Sequence, residues 1–155
     1  MILLWLIGIP LAAGLLAFLS GRLGAGWPRW VAFIGLIVNS AVSLMLASAD
    51  TAAPAVGIGA PWIVDLNVAW IPQFGIQFHL AADGLSLVLI LLTNFLGLVA
   101  VACSWTEITE RTGFFFFNLM WVLAGIVGVF TALDLFLFYF FWELMMVPMF
   151  NSQKK

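Results

Sequence analysis

The sequence predicts an all-α transmembrane bundle of about five helices, with a short β-hairpin between the second and the third. Three observations lead there. The chain is 65% hydrophobic and only 8% charged, whereas a soluble domain carries about 25% charged residues and needs polar groups to cover itself. Its apolar residues are gathered into long uncharged runs of spanning length. Its basic residues fall only in alternate connections between those runs. The same composition excludes other classes. Five Lys and Arg in 155 residues form no basic patch for nucleic acid, and a net charge of −2 points to no strongly charged partner. The single Cys103 lies in an apolar stretch and rules out a cysteine-rich metal site.

Residues 2–19 form the first run. No Lys or Arg occurs in the first 20 residues, so the positive start of a signal peptide is missing and the run reads as a spanning helix. Residues 30–49, 85–105 and 114–133 are equally free of charge. Each of these four runs has 18 to 21 residues, enough to cross roughly 30 Å of hydrocarbon at about 1.5 Å per residue. A fifth run, 135–150, has 16 residues and one charge, Glu143. Unsatisfied backbone groups are costly in lipid, so all five are expected to be helices. Residues 51–61 are rich in Ala, Gly and Pro and read as loop. Over 64–80, Val64, Leu66, Val68 and Trp70 alternate with Asp65, Asn67 and Ala69. Phe74, Ile76, Phe78 and Leu80 alternate with Gly75, Gln77 and His79. That period of two on either side of Pro72 predicts a hairpin. An isolated hairpin is marginal in water, so its apolar face is expected to rest on helix ends or on a neighbouring subunit. Asp83 and Asp134 stand where N-caps of the third and fifth helices belong.

Orientation follows from the basic residues. Arg22 and Arg29 separate the first two helices, Arg111 the third and fourth, and Lys154 and Lys155 follow the fifth. Alternation puts all of them on one side, which the positive-inside rule makes cytoplasmic. The N-terminus and the hairpin then face out and the C-terminus faces in.

Glu143 is the residue that carries chemistry. It lies well inside the fifth helix, where an acidic side chain costs about 2.5–3.5 kcal/mol on insertion scales. Leu, Phe and Val return only about 0.3–0.6 kcal/mol each. An intramembrane acid of this kind marks an ion pathway by default. Burial raises a carboxyl pKa and a cation lowers it, so a carboxyl between the two influences can take up and release a proton. The alternative is a protonated Glu in a helix–helix hydrogen bond. Tyr139, one turn earlier on the same face, either bonds to it or packs. Pro148 frees the carbonyl of Leu144, which either holds water near the acid or belongs to a plain kink. His79 reads as a surface residue of the hairpin's polar face. Asn39, Thr93, Asn94 and Asn118 are expected to bond between helices.

The core Trp142-Glu143-Leu144-Met145-Met146-Val147-Pro148-Met149 resembles the fifth helix of the antiporter-like subunit M (chain 4) family of proton-translocating NADH–quinone oxidoreductase, respiratory complex I. Asp83-Gly84-Leu85-Ser86, Cys103-Ser104-Trp105, Asn118-Leu119-Met120-Trp121 and Trp70-Ile71-Pro72 are similar to that family too, in the same order. The resemblance implies about fourteen helices in a complete member, a bacterial inner (plasma) membrane location, and other membrane-arm subunits as partners. It implies that Glu143 is the essential intramembrane glutamate, paired with a lysine on a later helix beyond these residues. It implies no cofactor or metal in this chain: NADH, flavin mononucleotide (FMN), iron–sulfur clusters and quinone belong to sister subunits, and protons are the only small substrate. The family continues its fifth helix with apolar residues, whereas residues 151–155 here are Asn-Ser-Gln-Lys-Lys. A truncation or frameshift is the expectation, and with it a chain unable to pump alone. Two rival readings remain: a subunit of a multisubunit cation/proton antiporter or membrane hydrogenase, and a membrane protein that only packs.

Overall fold

The computed structural model describes residues 1–24, 26–48, 62–71, 73 and 76–152. It contains five helices, α1 Ile2–Ser20, α2 Trp27–Ser48, α3 Gly84–Glu107, α4 Thr112–Thr131 and α5 Leu135–Ser152, with strands β1 Val64–Ile71 and β2 Ile76–Ala82 between α2 and α3. Four helices, α1 to α4, are long and apolar enough to cross a membrane. α5 is 18 residues long. Its backbone continues helically to Ser152, two residues beyond the run of 135–150. The loop expected over 51–61, the hairpin tip at Pro72, Phe74 and Gly75, and the basic residues Lys154 and Lys155 lie outside the described residues.

The helices run alternately up and down, since the start of α1, the end of α2, the start of α3, the end of α4 and the start of α5 meet in one cluster. α4 is central and packs against each of the other four, whereas α5 rests chiefly on α4 and β2. Small residues set the distances. A Cβ on Gly35 would collide with Ala13 Cβ, so α1 and α2 meet there. A Cβ on Gly128 would collide with the ring of Phe141, which seats α5 directly on the α4 backbone. Without a hydrophobic driving force between helices in lipid, such close approach is a main source of association.

Two apolar clusters divide the interior. One, including Leu3, Leu6, Leu80, Leu87, Val127 and Leu137, lies at the hairpin end. The other, including Ala17, Ala32, Leu36, Val101, Phe116 and Met120, lies toward the opposite end. Arg22, Arg29 and Arg111 all sit at that opposite end, where Arg29 Nη2 donates to the Ile108 carbonyl at 2.8 Å and ties the start of α2 to the end of α3.

The hairpin is antiparallel, with Val64 facing Ala82 and Leu66 facing Leu80, and an irregularity between Ala69 and Ile71. Its apolar face rests on helix ends. Leu80 and Ala82 are buried, and the Trp70 ring meets Phe136 and Phe140 of α5 at centroid distances of 5.9 and 6.1 Å. The α4–α5 turn is drawn into the sheet: Leu133 N–H donates to the His79 carbonyl at 3.0 Å, and Ala132 bridges to Leu80. On the outer face Asp65 meets His79 at 2.9 Å, and Asn67 Nδ2 donates to Gln77 Oε1 at 3.0 Å. An otherwise marginal two-stranded sheet is held by this docking.

Candidate functional site

α5 starts where its sequence places it. The Asp134 carboxylate accepts from the Phe136 N–H at 2.8 Å and the Leu137 N–H at 3.3 Å, capping the first turn. Its second oxygen lies 3.5 Å from the Gln77 N–H, so the cap also binds α5 to β2. Leu137 and Phe141 turn inward onto α4. Glu143, Tyr139, Phe140, Trp142 and Val147 turn outward.

Glu143 is thus exposed on the outer face of the bundle formed by these residues. Among the described residues no cation lies within 4 Å of its carboxylate; the one such contact is His79 with Asp65. Tyr139 shares the face and is 62% exposed, and no hydrogen bond joins the two among the described residues. A carboxylate on an aromatic, lipid-length surface is costly unless another polar group covers it. The arrangement leaves Glu143 able to meet a partner from outside these five helices.

Pro148 lacks the N–H that would bond to Leu144, which leaves a position open at that carbonyl. Trp121 of α4 fills it, its indole N–H donating to the Leu144 oxygen at 2.8 Å. The bond is one residue from Glu143 and fixes the rotation of α5 on α4. Below it Gly125 faces Met145, whose Cβ would lie 3.1 Å from a Cβ added at Gly125. Trp121 enters the sequence reading only through the family resemblance, not as a hydrogen-bond donor. The signal was present in two pieces: a donor-bearing Trp in an apolar span, and a proline-freed carbonyl that needs one.

The other intramembrane polar residues divide. Asn39 of α2 donates to Asn94 Oδ1 of α3 at 2.9 Å, Asn94 donates to Ser43 Oγ at 3.1 Å, and Ser43 closes the set on the Asn39 carbonyl at 2.8 Å. This is an interhelical network, as expected for Asn39 and Asn94, with Ser43 added. Asn39 is fully buried and its own Oδ1 has no partner among the described residues. Thr93 instead bonds within its helix, to the Leu89 carbonyl at 2.8 Å. Asn118 is half-buried and makes no side-chain bond among the described residues. A hydroxyl reaches its own preceding turn more easily than a neighbouring helix, which explains Thr93.

Comparison with known proteins defines the class first. No family model matches the chain. Its fold matches the structure of the Mrp complex from Dietzia sp. DQ12-45-1b, with a TM-score of 0.76 at 18% identity over 97% of this chain and 15% of that one. It also matches respiratory complex I from Thermus thermophilus with bound NADH, with a TM-score of 0.69 at 22% identity over 96% of this chain and 27% of that one. The fold is one found in chains of both of these membrane complexes. Sequence narrows the class. The chain is homologous to the N-terminal part of NADH-quinone oxidoreductase subunit M, being 48% identical over 151 residues, 97% of this chain, to the protein from Escherichia coli (strain K12). It spans 30% of that relative's length.

Proposed function

We propose that these residues form the first helices of a proton-translocating membrane-arm subunit of NADH–quinone oxidoreductase, and that Glu143 is its proton-carrying carboxyl. The carrying observation is the 48% identity over 97% of the chain, a span that includes α5 and Glu143. The exposed placement of Glu143 supports the role. A proton-carrying acid needs a partner that shifts its pKa and a route on each side, and an outward-facing carboxyl is open to helices beyond these five. In this reading a lysine from a later helix supplies the partner, and Tyr139 lies beside it. Sister subunits would handle NADH, FMN, iron–sulfur clusters and quinone, so this chain's own substrate is the proton. The arginine end faces the cytoplasm of a bacterial inner membrane and the hairpin faces out, because Arg22, Arg29 and Arg111 share one end.

The test replaces Glu143 in the complete subunit that carries this sequence, with proton uptake by membrane vesicles measured during NADH oxidation. Glu143→Gln keeps the shape and loses the titratable proton, so uptake should largely disappear. Glu143→Asp should keep part of it. Wild-type uptake by the Gln variant would make Glu143 a structural residue and end the proposal.

The Mrp likeness favours a second reading, a cation/proton antiporter subunit. Its 18% identity against 48% for subunit M places it behind. A complex I gene cluster around this one would support the first reading, and an antiporter cluster the second.

A further inference from the structure

The arginine end of the bundle holds a pocket that proton transport leaves without a role. α1 ends there beside the start of α4, because Gly21 and Gly113 let the two backbones touch. A Cβ added at Gly113 would meet the Ala17 carbonyl oxygen at 3.0 Å and Gly21 Cα at 3.1 Å. The cleft beside this contact has a volume of about 500 Å³, and its walls include Phe18, Arg22, Arg111, Thr112, Gly113 and Phe114.

Its polar side chains are donors. On the α1 side Ala17 O accepts from the Gly21 N–H at 3.1 Å and from the Ser20 hydroxyl at 3.0 Å, while Phe18 O accepts no bond among the described residues. The α4 side is open. Arg111 stands at the N-cap and supplies no side-chain cap. The first backbone bond of α4 runs from the Phe115 N–H to the Arg111 carbonyl at 3.1 Å. The N–H groups of Thr112, Gly113 and Phe114 therefore have no acceptor among the described residues. Thr112 is only 4% exposed, lines the pocket, and its hydroxyl has no hydrogen-bond partner among the described residues. The hydroxyl oxygen keeps access to the cleft, where it can meet a bound acceptor.

Two guanidinium groups, a helix N-terminus and a hydroxyl around one cleft form a phosphate-binding set. The rim is apolar. Phe18 and Phe114 are exposed beside the cleft, and Leu15 and Leu19 continue an exposed apolar face along α1. Among the described residues no carboxylate lines the pocket. We propose that this pocket binds the phosphate of an anionic phospholipid headgroup, with the acyl chains lying along the Phe18 and Leu15 face. Basic pockets between transmembrane helices at the cytoplasmic side suit such headgroups. The proposal requires that the chain span a bilayer and does not depend on any role for Glu143.

Native mass spectrometry of the purified chain in detergent tests it, with phosphatidylglycerol, phosphatidylcholine or inorganic phosphate added. Phosphatidylglycerol should bind in preference to phosphatidylcholine. Arg22→Gln and Arg111→Gln should each weaken that binding about fivefold, and the pair about twenty-five-fold. Thr112→Val, which removes only the hydroxyl, should weaken it by a smaller factor and leave phosphatidylcholine binding unchanged. Helical circular dichroism identifies the folded variants; should the double variant fail to fold, Thr112→Val and the single variants decide. Equal binding of the two lipids, or undiminished phosphatidylglycerol binding by the folded variants, would overturn the proposal. Displacement of the lipid by an equal concentration of inorganic phosphate would also overturn it, assigning the pocket to a soluble anion.

Discussion

At the scale of single residues, Glu143 and Trp121 show two ways a polar group lives on an apolar helix. Trp121 is satisfied within the bundle, since its N–H meets the carbonyl that Pro148 leaves open. Glu143 has no hydrogen-bond partner or cation within 4 Å among the described residues. Trp121→Phe keeps the ring and loses the bond, so it should destabilise the α4–α5 pair by about 0.6–1.7 kcal/mol, the range for interhelical bonds in membranes. Unfolding of the purified protein in mixed detergent would measure this, and no change would show the bond to be incidental. Substituting Glu143 should act in the opposite sense on insertion. Removing an acid that costs about 2.5–3.5 kcal/mol should make Glu143→Leu improve membrane insertion of α5. Glycosylation mapping reports the inserted fraction, and an unchanged fraction would count against the energetic argument.

At the scale of elements, caps and glycines decide where helices begin and how closely they pack. Asp83 accepts from the Ser86 N–H at 2.7 Å and starts α3. Hydrogen bonds from the Ser86 side chain and then its backbone hold the Asp83 carboxyl below its ordinary value of 3.8. A lowered pKa means that the cap contributes fully above pH 3.8 and fades as the pH falls through the lower folded value. Asp83→Ala should cost about 0.5–2 kcal/mol at neutral pH, with the gap between wild type and variant narrowing in acid. Thermal unfolding in detergent across that pH range would check both the size and the sign. At the same end of the bundle, Gly128 admits the Phe141 ring. Gly128→Val should push α5 off α4 and cost roughly 1–3 kcal/mol, measurable by the same unfolding assay. A neutral result there would mean that α5 does not pack on the α4 backbone.

At the scale of the whole molecule, the bundle has two unlike ends, one closed by the hairpin and one carrying Arg22, Arg29 and Arg111. Single-cysteine labelling in a Cys103→Ser background tests which end faces the cytoplasm. Gln73→Cys should react from the outside, and reaction only from the cytoplasmic face would invert the topology. Reconstituted alone, these helices should drive no coupled proton transport, because one carboxyl without a cationic partner offers no cycle. Coupled uptake by the isolated chain would show that no further helix is needed.

The existence and number of the helices were legible from long apolar runs, four of them free of charge and the fifth carrying only Glu143, because lipid leaves the backbone no alternative. The hairpin was legible from its period of two, and both Asp caps from their positions before apolar runs. Those are local properties, carried by adjacent residues. Three things were decided only in three dimensions. The bond from Trp121 to Leu144 joins residues 23 positions apart. The bond from Asn39 to Asn94 spans 55. The pocket between α1 and α4 is made by Gly21 meeting Gly113. Periodicity shows that a helix has faces but not which face meets which neighbour. That is set by glycine contacts and by the need of each freed carbonyl and amide for a partner, and both are satisfied only when distant segments come together.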